Sequence, residues 1–131
     1  MTLDSSALIA ILFAESGHLD LVDRILEAEH VRIGAPTLVE SSIIAARRRR
    51  LGGNASGTEV EGLIKELAVT VVPFGEIEWR SAVEAFARFG RGRHKAALNM
   101  GDCFAYATAA VARDTLLFVG GDFAHTDITA A

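Results

Sequence analysis

Cysteine is all but missing. Cys103 is the only one in 131 residues, which excludes an internal disulfide and a zinc site built from several thiolates. Its place in an apolar stretch marks it as a buried, inert thiol. No apolar run approaches the ~18 residues of a membrane span. The opening MTLDSSALIA carries an acid where a secretory leader would be basic. A cytoplasmic protein with no membrane partner is expected. The chain also lacks a G-x-S-x-G elbow, a phosphate-binding P-loop and a G-x-G-x-x-G fingerprint. Serine-elbow acyl transfer, P-loop nucleotide hydrolysis and dinucleotide binding therefore lose their usual supports.

Positive charge is in short supply. Thirteen Lys and Arg stand against 17 Asp and Glu, for a net charge of −4, the wrong sign for a uniformly basic nucleic-acid surface. The distribution is uneven, however: Arg47 to Arg50 form one basic cluster, and Arg88, Arg91, Arg93 and Lys95 form another. Neither cluster contains an acid, so each can attract phosphate locally on an acidic protein. A solvated helix face or loop is the plain alternative for either.

What is present reads as one globular domain over residues 1–131: 50% of residues are hydrophobic and 23% charged. TLDSSALIAILF reads as a very short strand running into a helix, with Asp4 at the junction and Ser5 or Ser6 as the cap. HLDLVDRILEA has the apolar spacing of an amphipathic helix, and HVRIGA alternates like a short strand. Pro36 opens a third helix, PTLVESSIIAARRRR, which Gly52 and Gly53 stop. After the GGNASG connector come a modest helix, EVEGLIKELA, and a β-branched run, VTVVPF, with the look of a buried strand. EIEWRSAVEAFARFG places Ile77, Val83, Phe86 and Phe89 on or near one face. The basic loop RGRHKAAL leads to a helix that begins NMGDCFAYATAA and shows no further charge until Arg113 and Asp114. TLLFVGGDF supplies a last strand. Strands alternating with helices imply a short, mostly parallel central sheet in a three-layer α/β/α domain.

In such folds the working surface lies beyond the carboxyl ends of the strands. Asp4 follows the first strand, Asp122 follows the last, Asp102 opens the helix that leads into it, and Glu40 lies one turn into the helix after strand two. Each has a dull explanation as turn, cap or exposed helix position. Together at strand ends they suggest a collective site. Clustered carboxylates need a cation, and all-oxygen ligation without a Cys/His set suits Mg²⁺ or Mn²⁺, ions that also bind phosphates. Acids flanked by segregated arginines point to metal-dependent cleavage of a nucleic acid. The alternative is a non-catalytic RNA- or phosphate-binding α/β regulatory module. A receiver-like version of that module would need paired acids after strand one and a lysine after the last strand, which a single Asp4 and VGGDF do not supply.

LDSSALIAIL, LVESSIIAARR around Glu40, GRGRHKAALN with LNMGDCFAYATA, and LLFVGGDFAHTDI, in this order and spacing, resemble the PIN domain, specifically VapC-type toxins. The resemblance covers essentially the whole chain. It implies a PIN-like fold and an Mg²⁺- or Mn²⁺-dependent endoribonuclease that halts translation, commonly a homodimer held inactive by a VapB-like antitoxin. Asp4, Glu40 and Asp102 match the family's first three acids, and Ser6 matches the hydroxyl residue that supports the first. Many relatives carry a further acid at the position of Gly120; here Asp122 takes that role, with Asp127 in HTDI as a helper. Arg91, Arg93 and His94 are candidates for RNA contact. Leu12, Phe13, Leu21 and Ile25, on the first two helices, are candidates for an apolar groove that receives the antitoxin; a place in the core is the alternative, and for Leu21 and Ile25 an equal one.

Overall fold

The computed structural model describes residues 1–50 and 58–131. Four short parallel strands form the sheet: β1 (Thr2–Leu3), β2 (Arg32–Gly34), β3 (Thr70–Val72) and β4 (Leu116–Leu117). Their spatial order is β3-β2-β1-β4. The chain therefore steps outward from β1 to β3, then returns to the far side of β1 for β4. Between β1 and β4 the direction of winding reverses, and crevices form at such reversals beyond the carboxyl ends of the strands. The GGNASG connector and the Gly52–Gly53 helix stop lie outside the described residues.

Among the described residues six α-helices cover the sheet: α1 (Ser5–Leu12), α2 (His18–Glu27), α3 (Ala35–Arg50), α4 (Thr58–Glu66), α5 (Glu76–Phe89) and α6 (Met100–Ala112). A 3₁₀ turn, Phe123–His125, follows β4. Successive strand residues face opposite ways, and β4 shows the consequence: Leu117 joins one core with Leu3, Leu8 and Ile33, while Leu116 joins a second with Ala105, Ala109 and Phe123. The first core lies under α1–α4 and the second under α5 and α6. The three-layer α/β/α architecture with a parallel sheet agrees with the sequence reading. At the pole opposite the strand carboxyl ends, Asp114 accepts a hydrogen bond from Thr2 Oγ1 (3.0 Å) and pairs with Arg32 Nε (2.8 Å), tying β1 and β2 to the residues after α6.

Several local expectations change. VTVVPF is not a buried strand: β3 is the sheet's edge, and Thr70 and Val71 are exposed. The last strand shrinks to two residues. On α5 the largest apolar residues do not face the core, since Ile77, Val83 and Phe86 are exposed while Ala82, Ala85 and Phe89 are buried. Alanines on α5 and α6 let the two helices approach closely, and that approach leaves the bulky residues beside the contact rather than inside it. Leu21 and Ile25 are core residues of α2, so half of the expected antitoxin groove is occupied by the protein's own interior. The first helix is capped by Asp4 rather than by Ser5 or Ser6.

Leu8 is fully buried on α1, and Leu8→Ala should cost about 3 kcal/mol through lost burial and a residual cavity. Urea unfolding followed by circular dichroism should show a lower midpoint with an unchanged slope.

Candidate active site

Asp4, the residue after β1, has an extended backbone and caps α1. Its Oδ2 accepts two hydrogen bonds from Ser6, one from the amide (2.9 Å) and one from the hydroxyl (2.5 Å). The Ser6 hydroxyl oxygen accepts in turn from the Val119 amide (2.9 Å), in the loop that leads to Asp122. Ser6 thus holds the first acid and the loop after β4 in one register. Asp102 sits at the third position of α6. Its Oδ2 accepts from the Asn99 amide (2.7 Å), while the Asn99 Oδ1 accepts from the Asp102 amide (3.1 Å), a reciprocal capping box. Asp102 is both a capping acid and a pocket acid.

Glu40 reaches this point from α3 because Gly101 leaves room for it. A Cβ built on Gly101 would stand 2.2 Å from Glu40 Oε1. Asp122 opens the 3₁₀ turn. Asp4, Glu40, Asp102 and Asp122 all line one pocket of about 300 Å³. Gly120, the position at which the family resemblance suggests a further acid, has φ +112°. That left-handed conformation strains any side chain with a Cβ, so Asp122 supplies the fourth carboxylate alone.

The electrostatics follow from this crowding. Burial, and next the charges of Asp4, Asp122 and Glu40, raise the Asp102 carboxyl from 3.8 to about 6, against the pull of the Asn99 amide. Asp4, only 3% exposed, is raised by burial against its Ser6 hydrogen bonds. Glu40 is raised by burial and by Asp4, with the Ser5 hydroxyl opposing. Two oxygens at the site, Asp4 Oδ1 and Glu40 Oε2, are buried with no hydrogen-bond partner. A buried carboxylate oxygen without a donor is costly, and a hard divalent cation is the partner that satisfies several at once. Among the described residues no three such groups are set close enough to ring an ion as they stand. The donor set, all oxygen with two orphaned atoms, fits Mg²⁺ or Mn²⁺.

The PIN-domain family model matches residues 1–128. The chain belongs to the PIN-domain family. It is 39% identical over 129 residues to Ribonuclease VapC36 of Mycobacterium tuberculosis, covering 98% of this chain and 91% of the relative. It is 37% identical to Ribonuclease VapC42 of the same species, covering 100% and 98%. Within the family it therefore groups with the VapC ribonucleases. Two solved structures share the fold: Mycobacterium tuberculosis VapC20, described as a sarcin-ricin loop cleaving toxin, and a toxin–antitoxin complex from Klebsiella pneumoniae. The first has a TM-score of 0.76 at 16% identity, covering 99% of this chain and 97% of that one. The second has a TM-score of 0.71 at 14% identity, covering 99% and 95%.

Not every expected residue reaches the PIN pocket. Asp127 is held elsewhere, accepting from the Tyr106 hydroxyl and from Arg88 Nη2, both at 2.5 Å. Those bonds lower its carboxyl, while burial first and then the bond to Asp127 raise the Tyr106 hydroxyl to about 12. Asp127 is a brace between α5, α6 and the chain's end. His94 accepts from the Ala96 amide and packs edge-on against Phe89, so it shapes its own loop. Arg91 and Arg93 are exposed on that loop and do not line the pocket. Cys103 is inert as expected, its thiol pushed up to about 11 by burial and then by Asp102. Asn99 and Gly101 escaped the sequence reading, and Ser5, read there only as a candidate cap, lines the pocket. For Asn99 a signal existed, the N-x-x-D spacing of a capping box.

Two outcomes should follow. Gly101→Ala should fold almost normally, because the clash is with the far end of a flexible side chain, yet weaken Mg²⁺ or Mn²⁺ binding about tenfold by displacing Glu40, as calorimetry would show. The raised carboxyls bind protons more tightly in the folded than in the unfolded state, so metal-free protein should lose stability as pH rises from 3.8 through about 6. Added Mn²⁺ should restore the melting temperature above that window.

Proposed function

We propose that this PIN domain is a divalent-metal-dependent endoribonuclease, the toxin of a type II toxin–antitoxin pair, which cuts RNA and so inhibits translation. The carrying observation is the convergence of four acids on one pocket with two orphaned carboxylate oxygens. Its whole-chain likeness to the VapC ribonucleases supports the same reading.

Asp4, Glu40, Asp102 and Asp122 would hold the ion, Mg²⁺ or Mn²⁺. When bound, such an ion offsets the charge of a phosphodiester undergoing in-line displacement by water. The protein's own groups do the rest. Ser6 fixes the rotamer of Asp4, Asn99 fixes Asp102, and Gly101 admits Glu40. The positive end of the α6 dipole faces Asp102 and reduces the cost of keeping it ionised.

The partners belong to the same proposal. An antitoxin of the VapB kind would neutralise the pocket by bringing a basic side chain to these acids. It cannot seat apolar residues on Leu21 and Ile25, which are interior, and Phe13 lies beneath the guanidinium groups of Arg48 and Arg49 at 5.2 and 5.4 Å; of the four groove candidates only Leu12 and Phe13 keep a partly exposed surface. A homodimer is supported by the apolar recess of about 410 Å³ between α5 and α6, lined by Trp79, Val83, Phe86 and Met100 among others, since exposed apolar patches of this kind mark interaction sites.

Asp4→Asn, Glu40→Gln and Asp102→Asn should each reduce cleavage of total RNA in Mg²⁺ by about a hundredfold or more while preserving the circular dichroism spectrum. Chelator should abolish cutting by the parent protein and Mn²⁺ should restore it. A folded Asp102→Asn protein that cuts at the parent rate would overturn the assignment and leave a non-catalytic RNA-binding module as the better reading.

A further inference from the structure

The basic cluster at the end of α3 contains one residue that does more than end a helix. Arg48 lines the acid pocket, and it is the only basic side chain that does so among the described residues. Glu40, Ile44 and Arg48 all border that pocket, and their four-residue spacing makes them one stripe of α3. Along the helix axis Arg48 lies ~12 Å beyond Glu40, and helical side chains lean toward the N-terminus, which tilts the guanidinium back toward the acids.

Two groups aim it. Arg48 Nη1 pairs with Glu15 Oε1, from the turn after α1, and its guanidinium lies 5.2 Å from the centre of the Phe13 ring. Both members of the ion pair are substantially exposed, at 45% and 39%, and exposed pairs contribute little net stability. This pair is therefore easily exchanged for a better one. Other cations are engaged away from the pocket: Arg49 pairs with Glu59, Arg88 with Asp127, and Arg32 with Asp114.

We propose that Arg48 seats the RNA strand at the acid pocket by a forked contact to a phosphate flanking the one that is cut, with Glu15 holding it in orientation until RNA displaces the carboxylate. A planar guanidinium matches a phosphate with two parallel hydrogen bonds, and a bound strand must bring phosphate charge past this rim to reach the four acids. The inference rests on the ribonuclease reading and adds the positioning residue that reading lacks.

The test compares the two ends of one ion pair. In an Asp102→Asn background without metal, RNA oligonucleotide binding is followed by fluorescence anisotropy across a salt series. Arg48→Ala should weaken binding about tenfold and flatten the logarithmic salt slope by about 0.7, the value for one lost single-strand phosphate contact. Arg48→Lys should recover part of the affinity, and Glu15→Gln should tighten binding by freeing the guanidinium. In the active protein with Mg²⁺, Arg48→Ala should raise KM with kcat nearly unchanged. If Arg48→Ala and Glu15→Gln lower the melting temperature alike and leave RNA binding and its salt slope untouched, the pair is a structural brace and the proposal is overturned, while parent cleavage leaves the ribonuclease reading standing. If the parent protein cuts no RNA, both fall together.

Discussion

One oxygen of Asp4 accepts from both the amide and the hydroxyl of Ser6, and that hydroxyl accepts from the Val119 amide. Through this chain the carboxyl end of β1, the first turn of α1 and the loop after β4 meet at a single point. The other Asp4 oxygen is buried without a partner. Such an arrangement is unfavourable by itself, because burial and neighbouring acids both penalise the charged form. Helix N-termini offset part of that cost, since Asp4 caps α1, Asp102 stands in the first turn of α6 and Asp122 opens a 3₁₀ turn. In the metal-dependent function proposed above, a cation would offset the remainder. The site is thus less stable in isolation than its scaffold would allow, which is the usual condition of a preorganised polar site.

The scaffold tolerates this because its two hydrophobic cores lie away from the acids. Strands of only two or three residues contribute few ladder hydrogen bonds, so the sheet serves chiefly to separate two helical layers and to aim their ends. The reversal of winding between β1 and β4 opens the crevice into which Asp4 and Asp122 project. Small residues complete the geometry. Gly101 lets Glu40 cross to α6, and the alanines of α5 and α6 let those helices pack closely while Trp79, Val83 and Phe86 remain on the outside.

Charge is organised on the same principle. Acids outnumber bases in the chain, yet a polyanionic substrate remains compatible with it once a cation occupies the pocket and a guanidinium stands at the rim. Much of the remaining positive charge serves the fold: Arg32 ties strands to the residues after α6, Arg49 ties α3 to α4, and Arg88 ties α5 to Asp127. Sign and count along the sequence could not separate these roles, because a basic cluster looks alike whether its members brace neighbouring helices or face a pocket.

The layered α/β order, the parallel sheet and the positions of Asp4, Glu40, Asp102 and Asp122 were legible in the residues, because alternating periodicities specify strands and helices and strand-end acids stand out against apolar neighbours. The support that Ser6 gives Asp4 was anticipated only through the family resemblance. Three kinds of feature were not legible. Val71, read as interior, lies on an edge strand, and Leu21 and Ile25, for which groove and core stood as equal alternatives, are interior: periodicity identifies an apolar face but not what packs on it. Asp127 was read as a helper to the acids and Arg88 as one member of a basic cluster, but they bind each other across 39 residues of chain, a pairing that no local pattern encodes. Arg48 became a pocket residue only when the turn carrying Phe13 and Glu15 folded back against α3. Local sequence determines what each segment is and which of its faces is apolar, since those depend on neighbours within a few residues. Which distant side chains share a pocket depends on the crossing of helices and the reversal of the sheet, and only the tertiary structure decides that.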